Sequence, residues 1–88
     1  MIGSLRHKGL SELWTSGRSR LVAADQQRRI LDALATAVVP EDMNLPGLKL
    51  HGLRGAPKRY AVSVNAQWRI TFGWHGQDAV DVDLEQYH

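Results

Sequence analysis

Two histidines, His51 and His88, a tyrosine, Tyr87, and several arginines are the side chains here with chemistry to offer. An imidazole ordinarily titrates at about pH 6.5, so one ring can take up a proton and another return it near neutrality. A guanidinium presents a planar fork of donors that matches phosphate geometry. Together these are the parts that metal-free cleavage of an RNA phosphodiester needs. One group removes the proton of the ribose 2′-OH, one protonates the departing 5′-oxygen, and a cation stabilises charge on the phosphorane. The sequence has no HExxH, no carboxylate pair at acid–base spacing, no glycine-rich phosphate loop and no cysteine. A metal centre, a nucleotide cofactor and thiolate chemistry therefore have no support in it, and the expected cofactor list is empty.

The order of charge along the chain gives these groups a context. The net charge is +2 over 88 residues, but its distribution is uneven. Residues 49–69 carry Lys49, Arg54, Lys58, Arg59 and Arg69 with no acid, whereas 70–88 carry Asp78, Asp81, Asp83 and Glu85 with no lysine or arginine. Such blocks fit strands that pair opposite charges across a sheet, and they fit equally a cationic strip that meets phosphate. The length supports a single domain, 1–88, whose core is thin. No apolar run is long enough to span a membrane and no signal-peptide pattern opens the chain, so a cytoplasmic location is expected.

Hydrophobic periodicity supplies the elements that must position the site. Leu10, Leu13 and Trp14 recur at helical spacing within residues 5–14, with Gly17 as the stop. Ile30, Leu31, Leu34 and Val38 predict a second helix over 23–39, ended by Pro40. A loop over 41–47 follows, and then the period changes to two. Leu48 and Leu50; Tyr60, Val62 and Val64; Trp68, Ile70, Phe72 and Trp74; and Val80, Val82 and Leu84 each alternate with polar residues. The fold class is α+β, two N-terminal helices packed on a small, mainly antiparallel sheet. Keeping Val62 and Ile70 on one face requires paired numbers with an even sum, which predicts three-residue loops at 65–67 and 75–77. Phe72 then faces Val80 and Arg69 faces Asp83; a five-residue second loop would set Arg69 opposite Glu85 instead.

If the apolar face meets the helices, the opposite face presents Lys49, His51, Arg59, Ser63, Arg69, Thr71, Asp81, Asp83 and Glu85, with Tyr87 and His88 at the tip of the last strand. Plain structural roles fit the same residues: a solvated strand histidine, a frayed terminus, and an arginine paired across the ladder. Trp14, Trp68 and Trp74 lie on apolar stripes and read as core, while His7 and His75 have no assigned role.

Several stretches carry a family resemblance: 42–55 with its LPG and LHxLxG, 60–65 and 68–72 forming VSVNxxWRITF, and the closing Tyr87-His88. With the opening 6–10, they make nearly the whole chain resemble HigB-type toxins of the RelE/ParE superfamily of bacterial toxin–antitoxin systems. The resemblance implies a RelE-like fold and a ribosome-dependent, metal-independent mRNA endoribonuclease that inhibits translation. His51 matches the family's catalytic histidine, Arg69 an arginine that stabilises the transition state, and Tyr87 and His88 the last two residues of its usual ending. Arg54 stands where the family commonly has a phosphate-binding lysine, and Lys49, Lys58 and Arg59 extend the cationic surface beside it. Gln86 departs from the pattern, because an aspartate is common there and an amide does not titrate.

The resemblance also implies a HigA-like helix-turn-helix antitoxin, expected as a 2:2 heterotetramer, with the ribosome and mRNA as further partners. A thin core with a cationic face gains stability from a partner that binds the folded form. Two other functions fit the same sequence. One is a non-hydrolytic ParE-like toxin that poisons DNA gyrase; the other is a basic adaptor that binds nucleic acid through 49–69 without cutting it.

Overall fold

The period-two half of the chain forms a four-stranded antiparallel meander in the order β1-β2-β3-β4. In the computed structural model, which describes residues 1–18 and 24–86, the strands are β1 (His51–Leu53), β2 (Arg59–Ser63), β3 (Trp68–His75) and β4 (Asp78–Gln86). Two helices precede them, α1 (Lys8–Ser16) and α2 (Ala24–Thr36), with a 3₁₀ turn at Pro40–Met43 that starts at the expected helix stop and runs into the expected loop. This is the expected α+β arrangement. Among the described residues no helix is long and apolar enough to cross a membrane.

The helix ends have local causes. His7 caps α1, its Nδ1 accepting from the Gly9 and Leu10 amides at 3.0 and 3.3 Å, a use the sequence did not announce. Gly17 stops α1 in a left-handed conformation at φ 77°, its N–H donating to Leu13. α2 stops at Thr36, short of the expected 39. Val39 is extended before Pro40, and the Asp42 carboxylate takes the Val38 and Val39 amides at 2.9 and 3.3 Å. Ala37 therefore turns inward, whereas Val38 is 46% exposed and is not part of the core stripe.

One cluster unites the layers. Leu10 and Leu13 of α1 and Ile30, Leu31 and Leu34 of α2 meet Val62, Ile70, Phe72, Ala79, Val82 and Leu84 of the sheet. Trp68 and Trp74 pack against it half-buried. Trp14, expected there too, is 39% exposed. Gly9, Leu10 and Leu13 define the buried arc of α1, and at 100° per residue Trp14 lies roughly 90° from its centre.

The β2–β3 register is the expected one, with Val62 opposite Ile70 and Ser63 opposite Arg69. The second hairpin differs. His75 pairs with Asp78 across a two-residue turn, and the register shifts by one between Thr71 and Gly73. There Asp81 and Val82 face Phe72 alone, with Asp81 left-handed at φ 49°. This bulge restores the even sum that a longer loop would have supplied. Arg69 therefore lies opposite Glu85, not Asp83, and Val80 lies opposite Gly73, not Phe72. Val80 moves off the core face and Ala79 takes its place there. The first strand is also shorter than expected, because Lys49 is left-handed at φ 54° and keeps Leu48 and Leu50 out of the ladder.

The N-terminal segment covers the outer edge of β4. It runs parallel to that strand through bridges Ile2 to Ala79 and Leu5 to Val82. Exposed Arg6 adds contacts to Asp81 and Asp83 at 3.6 and 3.9 Å.

Candidate functional site

The sheet face turned away from the helices is built by cross-strand register. His51 pairs with Ala61, Ala61 with Thr71, and Thr71 with Asp83. These four residues form one row on that open face. Ser63, Arg69 and Glu85 form the next row, and Leu53, Arg59, Gly73 and Val80 flank the other side. His51 and Thr71 are two strand spacings apart, roughly 10 Å at Cα, with the small Ala61 between them. Ala61 and Thr71 are both buried, and His51 at the end of the row is exposed.

His51 is exposed at the start of β1. Its Nδ1 lies 3.0 Å from the Lys49 carbonyl oxygen. A carbonyl can only accept, so Nδ1 carries the hydrogen and Nε2 of the neutral ring keeps the electron pair. The left-handed turn at Lys49 thus contributes through its backbone as well as through its exposed ammonium.

The cations divide. Arg69 is half-buried in β3 between Ser63 and Glu85. Arg54 is exposed in the turn after β1. Arg59 is tied down on the open face, its Nη2 donating to Thr71 Oγ1 at 3.1 Å and to the Asp81 carbonyl at 2.9 Å. Lys58 is directed to Tyr60 and Gly52. Its ammonium is 5.8 Å from the Tyr60 ring centroid and packs so close to Gly52 that a Cβ there would sit 2.5 Å from it. Both contacts belong to the alternate register positions that face the helices.

Thr71 completes the face. Its hydroxyl also donates to a Glu85 carboxylate oxygen, and the residue is 0% exposed. Gln86 pairs with Trp68 and therefore points to the other face from Glu85 and Arg69. Tyr87 and His88 lie outside the described residues. A cavity of about 120 Å³ between α2 and the 45–48 loop, lined by Gln26, Arg29, Leu45 and Pro46 among others, contains none of these groups. The candidate residues lie on the sheet face, apart from this cavity.

Two leading helices, an antiparallel meander and a histidine–arginine face define a small α+β domain of RelE-like architecture. Residues 3–88 match the HigB-like toxins, described as RelE-like toxins of the type II toxin–antitoxin system HigB, and the chain belongs to that family. It is 39% identical over 92 aligned positions to the Endoribonuclease HigB of Proteus vulgaris, with 100% of each chain covered. Membership of a type II system gives the chain an antitoxin as partner.

Proposed function

We propose that this toxin is an endoribonuclease that cleaves mRNA on the ribosome through attack by the ribose 2′-OH. The observation that carries this reading is the 3.0 Å approach of His51 Nδ1 to the Lys49 carbonyl oxygen. The ring's Nδ1–H is held by that carbonyl, which leaves Nε2 as a proton acceptor on a cationic face. His51 Nε2 takes the 2′-OH proton as that oxygen attacks phosphorus. The P–O5′ bond breaks, His88 gives its proton to the leaving oxygen, and the products are a 2′,3′-cyclic phosphate and a 5′-hydroxyl end. Arg69 and Arg54 stabilise the negative charge on the phosphorane. Tyr87 joins these residues as a catalytic group by its match to the family's ending. The relative's name, Endoribonuclease HigB, supports the activity over the full length of the chain.

The antitoxin is a HigA-like helix-turn-helix protein in a 2:2 assembly. The domain works in the cytoplasm, where ribosomes and mRNA are found. The test is cleavage of mRNA on programmed ribosomes by the purified chain, with bare RNA alongside and the product ends analysed. Cyclic phosphate ends, with a rate reduced at least about 100-fold in H51A, are the expected result. Intact mRNA with accumulated DNA breaks would point to a gyrase poison, and salt-dependent binding without cleavage to an adaptor; either overturns the reading.

A further inference from the structure

Thr71 and its register partner Ala61 are both buried on the face away from the helices, and of the two only Thr71 brings a polar side chain there. Strand alternation places it outward, yet it is 0% exposed. Arg59 on β2 and Glu85 on β4 reach it from both neighbouring strands. Each is a diagonal neighbour in the ladder, a separation that long side chains span. The hydroxyl uses both of its capacities at once. It accepts from Arg59 Nη2 at 3.1 Å and donates to Glu85. Both bonds are charge-assisted, and both ends are ions that would otherwise sample several rotamers.

Three further features serve this arrangement. The bulge at Asp81 turns a carbonyl toward Arg59 Nη2 at 2.9 Å, giving the guanidinium a second anchor. Gly73 opposite Arg59 leaves room beneath it, since a Cβ there would meet Val80 Cγ2 at 3.3 Å and Arg59 Nη1 at 3.7 Å. Glu85 stands directly opposite Arg69 in the register. The chain Arg59–Thr71–Glu85 therefore crosses three strands and ends beside the arginine assigned to the phosphorane.

We propose that Thr71 is a positioning residue whose buried hydroxyl couples the Arg59 guanidinium to the Glu85 carboxylate and fixes both charges next to Arg69. The proposal rests on the endoribonuclease reading for its effect on rate, but not for the coupling itself. Arg59 acts here through Thr71 and not as a loose phosphate clamp. Removing the hydroxyl leaves the net charge of the face unchanged, so attraction of a polyanion is preserved while its alignment is lost.

Side-chain NMR of the intact chain tests the coupling without reference to catalysis. A Thr71 hydroxyl proton protected from exchange, with a cross-peak to the Arg59 Nη protons, is expected; its absence overturns the proposal whether or not any variant folds. In the near-isosteric Thr71→Val, the dispersed Arg59 Nη resonances should collapse to the averaged signal of a solvated guanidinium, and their persistence would overturn the coupling. On programmed ribosomes, T71V should lose about 10- to 100-fold in kcat with KM within about twofold, and T71S should recover most of that loss. Unchanged kcat in a folded T71V refutes the positioning role and leaves the ribonuclease reading intact. Failure of the unmodified chain to cut RNA refutes that reading and the rate effect, while the NMR comparison still decides the coupling.

Discussion

The two faces of the same sheet are made of different physics. The face under α1 and α2 is held by shape and apolar area: Val62, Ile70 and Phe72 are 0% exposed, and Phe72 also packs on Tyr60 at 5.8 Å between ring centroids. The open face is held by register and hydrogen bonds: Arg59 on Thr71, Thr71 on Glu85, and His51 on Lys49. The first arrangement tolerates exchange of one apolar side chain for another of similar volume. The second depends on individual donors and acceptors, because each links two particular groups. Apolar packing and side-chain hydrogen bonding are thus separated by one strand thickness, along alternate residues of β3.

That separation is broken most forcefully by Phe72→Ala. Deleting a fully buried ring costs about 3–5 kcal/mol, against a total of roughly 4–13 kcal/mol for a domain of this length. Urea unfolding should show a large fall in midpoint, and a loss below about 1 kcal/mol would mean that the cluster is not the main support of the fold. His51→Ala should do the reverse. The residue is exposed and bonds only to a nearby carbonyl in the described contacts, so unfolding should move by less than about 0.5 kcal/mol. The cleavage rate should drop at least about 100-fold, equivalent to about 2.7 kcal/mol of barrier. A variant that lost stability and activity together would erase the distinction between the faces.

The apolar face was readable in the sequence and the open face was readable in part. Alternation at Tyr60–Val64 and Trp68–Trp74 identifies the side packed on the helices, although Ala61, Thr71 and Gly73 of the other parity are buried as well, and parity alone demanded an even β3–β4 register. Parity could not say how the extra residue would be accommodated, since a loop and a bulge satisfy it equally. The bulge won because it lets a tight turn stand at Gly76 and Gln77 and places the extra residue at Asp81. Its consequence, Glu85 opposite Arg69, followed from the second register considered and not the first. The parallel edge formed by Ile2 and Leu5 had no signal, because isolated bridges impose no alternation. Thr71 read as solvent-facing, and its burial emerges only once residues on three strands are brought together. His51, Arg69, Arg54, Arg59 and Lys49 were picked out by type. Their division into exposed, half-buried and anchored groups, and the departure of Lys58 to Tyr60, needed the cross-strand geometry.

The bulge offers a subtler probe, because it is where the two faces exchange residues. Asp81 is held left-handed at φ 49°, a conformation that costs a β-branched side chain about 1–2 kcal/mol and glycine almost nothing. Asp81→Val should lower stability by about that amount and shift the β3–β4 amide exchange pattern, whereas Asp81→Gly should equal or exceed the parent by up to about 0.5–1 kcal/mol. Both retain the carbonyl that anchors Arg59, so D81G should also keep the dispersed Arg59 resonances. If D81V were as stable as D81G, the register shift would not depend on that dihedral. The smallest effect belongs to Arg6→Ala. Its contacts to Asp81 and Asp83 at 3.6 and 3.9 Å join an exposed guanidinium to one exposed and one half-buried carboxylate. Removing them should cost no more than about 0.5 kcal/mol, and the difference should vanish as salt rises. A larger, salt-independent loss would show that the N-terminal segment is held by Arg6 itself. The arrangement points instead to the backbone bridges at Ile2 and Leu5, together with the amide of Asp81 donating to Ser4 Oγ at 2.8 Å.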